Sequence, residues 1–173
     1  SSSNLTRPLT AAKKVSTVYS FEPHMGNFYR LQKNISHNKL EDTVLPKNLA
    51  LGAENKVVNG SRGGSTFRLE DDSQSGIEIA QGDEYIDRHN MDIPTVMKID
   101  VEGYEHKVLR GLSNTLQRPE CRTLFIELHH RIHGEDILSN DEIQNIKDLL
   151  MSWGYAIETI QTKSGQENIK AYR

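Results

Sequence analysis

Thr95-Val96-Met97-Lys98-Ile99-Asp100-Val101-Glu102-Gly103 follows Pro94 and decides the fold. The β-branched and apolar residues of 95–101 predict a compact strand, and Gly103 lets the backbone turn tightly after it. A helix is predicted from about 104 to 116, with Tyr104, Val108, Leu112 and Leu116 on one face. Residues 122–128, containing Thr123-Leu124-Phe125-Ile126-Glu127, are another buried strand. Strand, amphipathic helix and strand in that order make a βαβ unit, whose strands are parallel.

Working outward, Thr17-Val18-Tyr19-Ser20-Phe21 predicts a short strand bounded by Glu22-Pro23. The helix after it runs from about 25 to 35, with Phe28, Leu31 and Ile35 at i, i+3 and i+7. Thr43-Val44-Leu45 and Leu49-Ala50-Leu51 flank Pro46 and read as one irregular strand, because proline interrupts a ladder. A short helical piece near Pro8 covers Leu9 to Val15. Residues 55–82 alternate weakly around Asn59-Gly60 and Gly63-Gly64, which predicts a variable hairpin or loop excursion. Downstream, Ser139-x-x-Glu142 is a capping box opening a helix with Ile143, Ile146, Leu150 and Trp153, stopped by Gly154. Two closing strands, 155–161 and 168–172, flank Ser164-Gly165 and predict one antiparallel partner at a sheet edge. The expected fold class is α/β: a Rossmann-like, mostly parallel sheet with helices on both faces and an antiparallel terminal strand.

Composition bounds the function. At 173 residues the chain favours a single domain over 1–173. Charged residues make up 26% with a net charge of −3, unlike the strongly charged, apolar-poor profile of disordered chains. No apolar run approaches the ~18 residues that span a bilayer, so no membrane partner is expected. With 21 basic against 24 acidic residues there is no bulk attraction to nucleic acid. The single Cys121 excludes an internal disulfide framework and is expected to serve packing; a reducing, cytoplasmic location is expected.

Ligands of such sheets bind outside the carboxyl ends of the strands, so the residues ending strands carry the chemistry. Three strands end in an acid: Glu22, Asp100 with Glu102 beyond it, and Glu127 followed by His129 and His130. A carboxylate such as Glu22 can accept hydrogen bonds from ribose hydroxyls, or simply complement the dipole of the following helix. Lys98 and its neighbouring acids form either an ion pair, with Glu105 a helix-opening charge, or a ligand contact. His129-His130-x-x-His133 with Glu135-Asp136 invites transition-metal ligation. Adjacent strand residues point opposite ways, however, so a solvated loop or a single active-site His129 is favoured and no metal is expected. The Asn59–Gly64 loop lacks the Lys-Ser/Thr of a P-loop and reads as a turn.

Taken together, several segments resemble the FkbM family of S-adenosylmethionine-dependent methyltransferases. They are Val18-Tyr19-Ser20-Phe21-Glu22-Pro23, Asn34-Ile35 with Asn38, and Lys98-Ile99-Asp100-Val101-Glu102-Gly103-Tyr104-Glu105. Val108-Leu109-Arg110-Gly111 and Phe125-Ile126-Glu127-Leu128-His129 complete the set. The resemblance covers about 9–161 and implies a class I fold of seven strands, the last antiparallel. It implies O-methylation of a hydroxyl on a sugar or small natural product, with S-adenosyl-L-methionine as cofactor. By this likeness Glu22 holds the cofactor ribose and the turn around Ala50-Leu51 borders the adenine. Asp100 and Glu102 lie near the methyl sulfonium and acceptor, and Glu127 and His129 line the acceptor side. His129 or Asp100 would take the acceptor's proton.

The family's fold begins with a strand ending in an acidic, glycine-rich loop, whereas this chain opens Ser1-Ser2-Ser3-Asn4-Leu5-Thr6 without glycine. The first strand and cofactor loop are therefore expected to be missing, leaving the sheet N-terminally incomplete. Two other functions fit that departure: a non-catalytic scaffold or binding domain keeping the fold, and another nucleotide-binding Rossmann-like enzyme in which Glu22 still grips a ribose.

Overall fold

A computed structural model describes residues 17–59, 76–132, 134–163 and 165–173. The chain divides into two compact units, one of residues 1–51 and 55–80, the other of 52–54 and 81–173. The helical piece expected at 9–15 and the glycine turn at 60–64 lie outside the described residues.

In the first unit, β1 (Val18–Phe21) leads into α1 (Met25–His37), which returns the chain to β2 (Val44–Lys47). β1 and β2 pair in parallel, Val18 opposite Val44 and Phe21 opposite Lys47. Leu31 and Ile35 of α1 bury themselves with Val44, and Val18 and Leu40 pack on that cluster. The single irregular strand expected around Pro46 is two strands. Pro46 sits inside β2, opposite Ser20, where the other side of a two-stranded ladder needs no N–H from it. The break falls instead at Asn48-Leu49, after which β3 (Ala50–Gly52) joins another sheet. That sheet has the order β3-β5-β4, in which β4 (Lys56–Asn59) and β5 (Gly76–Gln81) pair antiparallel.

The second unit opens with α2 (Gly82–Arg88) and β6 (Val96–Ile99), shorter than the 95–101 predicted. The helix expected over 104–116 is broken into α3 (Glu105–Gly111) and α4 (Ser113–Leu116). Buried Asp83 takes over the amides that open α4: Asn114 N–H and Thr115 N–H each donate to its carboxylate at 2.9 Å. Gly111 has no room for a side chain, since a Cβ there would lie 1.8 Å from the Gly52 carbonyl oxygen. The apolar face nevertheless holds as anticipated, with Val108, Leu112 and Leu116 all buried.

Beyond α4 come β7 (Thr123–His129), a two-residue hairpin of β8 (Arg131–Ile132) and β9 (Glu135–Asp136), and the capped helix α5 (Asn140–Ser152). The capping box forms in full, Ser139 and Glu142 each accepting the other's backbone amide. The chain closes with β10 (Ala156–Lys163) and β11 (Gln166–Tyr172). Their sheet has the order β10-β11-β7-β6, with β6 and β7 parallel and β11 antiparallel to both its neighbours. The antiparallel strand is thus internal; β10, not β11, takes the edge expected for it. Apolar β11 residues explain the insertion: Ile169 and Ala171 are wholly buried opposite Ile126 and Leu124. Cys121 is free and wholly buried, and its carbonyl accepts a hydrogen bond from the Tyr155 hydroxyl at 2.8 Å.

Candidate active site

Parallel pairing of β6 with β7 sets the register that builds the site. Ile99, the last residue of β6, lies opposite Ile126. One step further along each strand brings Asp100 level with Glu127, and side-chain alternation puts His129 on the same face as Glu127. Ligating atoms of Asp100, Glu127 and His129 all lie within 4.8 Å of one another. His129 Nε2 is 3.6 Å from Glu127 Oε1 and 4.0 Å from Asp100 Oδ1. Lys98, two residues before Asp100 on the same face, pairs with Asp100 Oδ2. That is the ion pair anticipated as one of two alternatives, and it leaves Oδ1 turned to the histidine.

The backbone after β6 folds sharply. Glu102 and Gly103 have φ of +48° and +98°, consecutive left-handed residues. Gly103 is required twice over, because a Cβ would also meet Ile137 Cγ2 at 2.3 Å. This turn carries α3 back over the strand end and buries Glu105 completely. Glu105 Oε1 accepts the Gly103 N–H at 3.1 Å and lies 2.9 Å from His129 Nδ1. Burial depresses the basicity of the His129 imidazole, but Glu105, Asp100 and Glu127 outweigh it and hold the pKa above its ordinary value.

Sequence reasoning treated Glu105 only as a helix-opening charge. An acid in the first turn is ordinarily solvated, and only the reversal through Glu102-Gly103 buries this one. Glu102, expected beside Asp100, is not a member of the converging group. Within the histidine-rich stretch, His129 joins Asp100 and Glu127 rather than its sequence neighbours. His130 acts electrostatically on Glu167, whose β11 position is opposite Leu128, and so serves the other face of the sheet. Asp136 is taken by Arg131, its oxygen 2.7 Å from the guanidinium, and His133 lies outside the described residues.

In the first unit, Glu22 follows the end of β1 as expected. Its Oε1 accepts the His24 N–H at 2.8 Å, just ahead of α1. Asn48, unremarked in the sequence, fixes the loop by donating to the Glu22 carbonyl at 2.9 Å and the Pro23 carbonyl at 3.2 Å. Ala50 and Leu51 belong to β3 rather than to the turn assumed around them. Among the described residues no helix is long and apolar enough to cross a membrane.

Comparison with known proteins places these features in a family. The methyltransferase FkbM domain model matches residues 4–157. Hexuronic acid methyltransferase AglP of Haloferax volcanii is 27% identical over 124 residues, covering 69% of this chain and 50% of that protein. The crystal structure of methyltransferase FkbM from Methylobacillus flagellatus superposes with a TM-score of 0.67 at 18% identity, over 91% of this chain and 36% of that one. The chain thus spans half the length of this curated relative and about a third of that solved structure. With the family's domain matched over most of its length, this mixed α/β chain belongs to the FkbM methyltransferase family.

Proposed function

We propose that this chain is a Rossmann-like, S-adenosylmethionine-dependent O-methyltransferase domain that modifies a hydroxyl of a sugar or small natural product, in a cytoplasmic setting. One observation carries the reading: in a chain matching the FkbM domain over 4–157, Asp100, Glu127 and His129 converge at the carboxyl ends of adjacent parallel strands. A hexuronic acid glycoside is the first acceptor to test, because the relative AglP bears that substrate class in its name.

When bound, the cofactor supplies an electrophilic methyl group on a sulfonium. Glu22 suits its ribose, since a carboxylate at a strand end offers acceptors to ribose hydroxyls. Ala50 and Leu51 border the adenine in this reading. Asp100, with Glu102, faces the sulfonium and acceptor; Glu127 and His129 line the acceptor side. Their work is to hold the acceptor oxygen in line with the methyl group and to receive the hydroxyl proton, on Asp100 or His129.

Isothermal titration with S-adenosylhomocysteine tests the reading. Saturable binding, weakened at least tenfold by Glu22→Ala, is expected; absence of saturable binding by the unmodified chain overturns it.

A further inference from the structure

We propose that Asp100, Glu127 and His129 form a divalent-cation site, ligated through Asp100 Oδ1, Glu127 Oε1 and His129 Nε2, with buried Glu105 orienting the imidazole. Its use in catalysis rests on the methyl-transfer reading above; the binding itself does not.

Hydrogen-bond polarity is the first argument. Glu105 Oε1 already accepts the amide of Gly103, so it offers acceptor lone pairs toward the imidazole as well. At 2.9 Å from Glu105, His129 Nδ1 must therefore be the donor. In the neutral ring Nε2 is then a lone pair, and it confronts two further acceptors, Glu127 Oε1 at 3.6 Å and Asp100 Oδ1 at 4.0 Å. Three electron-pair donors face one another at separations too long for hydrogen bonds. Bonds of about 2.1 Å to a common ion would set cis ligand atoms roughly 3.0–3.4 Å apart, so from 3.6 and 4.0 Å the carboxylate oxygens close on Nε2 by up to about 1 Å, a movement that side-chain rotation supplies.

Charge is the second argument. Asp100, Glu105 and Glu127 crowd one imidazole, and Lys98 is the cation paired with Asp100. The side chains of Asp100, Glu127 and His129 are 8%, 16% and 10% exposed. Glu105 is wholly buried, and its Oε2 has no hydrogen-bond partner among the described residues. A buried carboxylate oxygen without a partner is expensive, so Glu105 is held in place for its contact with the imidazole, on the side of the ring away from Asp100 and Glu127. A carboxylate holding the far nitrogen of a metal-bound histidine is a recurrent arrangement that fixes the tautomer and raises ligand basicity. One imidazole with two carboxylate oxygens suits Mn²⁺ or a similar divalent ion, with remaining positions open to water and an acceptor oxygen. Such an ion acidifies a bound hydroxyl. His129 is then a ligand rather than the base, and the released proton passes to the carboxylate oxygen of Glu127 that is not on the ion. This differs from the sequence expectation of no metal, which weighed His129 only against His130 and His133.

Titration of MnCl₂ into the full chain, followed by the loss of the free Mn²⁺ electron-spin signal, tests the site. One saturable site is expected, with affinity reduced at least tenfold in Asp100→Asn/Glu127→Gln and 10–100-fold in Glu105→Gln. Pulsed electron-spin measurements on the unmodified protein should show coupling to a single imidazole nitrogen, a readout that needs no variant to fold. No saturable Mn²⁺ binding at millimolar concentration, or bound Mn²⁺ without that coupling, overturns the proposal. Methyl transfer undiminished by EDTA would overturn the metal's part in catalysis while leaving the methyltransferase reading intact. Mn²⁺ bound on these ligands in a chain that takes no S-adenosylhomocysteine would support the site and overturn that reading.

Discussion

Glu22 and Asp100 occupy equivalent places in their strands, each the first acid after an apolar run, yet their surroundings diverge. Glu22, in the first unit, spends an oxygen on the amide of His24, a short-range contact available at almost any strand-to-helix junction. Asp100, in the second unit, sits 8% exposed among Lys98, Glu127 and His129, partners drawn from two strands, with Glu105 on the far side of the imidazole. An acid at a strand tip is therefore not a site in itself. What marks Asp100 is the convergence on it of charged groups from two strands with water largely excluded, because desolvated charges interact more strongly and cost more when unpaired.

The proposed function gives affinity to one acid and chemistry to the other, and two variants test that. Asp100→Asn should lower turnover by about 10²–10⁴-fold while leaving S-adenosylhomocysteine affinity within a few-fold, whether Asp100 takes the proton itself or holds an ion that acidifies the hydroxyl. Turnover within threefold of the unmodified protein would remove Asp100 from the reaction. Glu22→Ala should do the opposite, weakening S-adenosylhomocysteine about 10–100-fold, as expected for loss of charge-assisted hydrogen bonds worth about 1.5–3 kcal/mol. If the two variants show the same pattern, the proposed division of roles between the two acids fails.

The scaffold of the second unit is open to a separate check. Gly111→Ala drives a Cβ against the Gly52 carbonyl and should destabilise by about 1–3 kcal/mol in urea denaturation, in the range of overpacked cores. An unchanged midpoint would show that this close approach is not needed. A smaller effect is expected at Glu167. Burial alone would raise its pKa, but Lys147 at 2.8 Å and Thr159 at 2.6 Å lower it below the usual carboxylate range. A depressed folded-state pKa contributes stability above the unfolded value, about 4.3, and that contribution disappears as pH falls through the folded value. Glu167→Gln should therefore be less stable than the unmodified chain at pH 7, and the gap should narrow as the pH falls below about 4.3 and Glu167 becomes protonated. A gap that persists in acid would assign the loss to packing instead.

Much of this site was visible along the chain, and its gaps have physical causes. Asp100, Glu127 and His129 were all marked because strand ends are legible from apolar runs, and parallel strands align their ends. Glu105 escaped notice because its role depends on two consecutive left-handed residues, one of them the non-glycine Glu102, which local propensity disfavours. The helix break at Leu112 was equally hidden: its cause is the carboxylate of Asp83, 31 residues away from Asn114. The position of β11 likewise depended on which apolar strand could bury Ile169 and Ala171, a competition settled in three dimensions.

By itself, the sequence determined the local elements and the residue types at their ends, because periodicity, caps and glycine act over a few residues. The tertiary structure alone decided which charges meet. Register between β6 and β7 and the reversal at Gly103 bring three carboxylates around one imidazole, and electrostatics in a dehydrated pocket depends on distance through space, not along the chain.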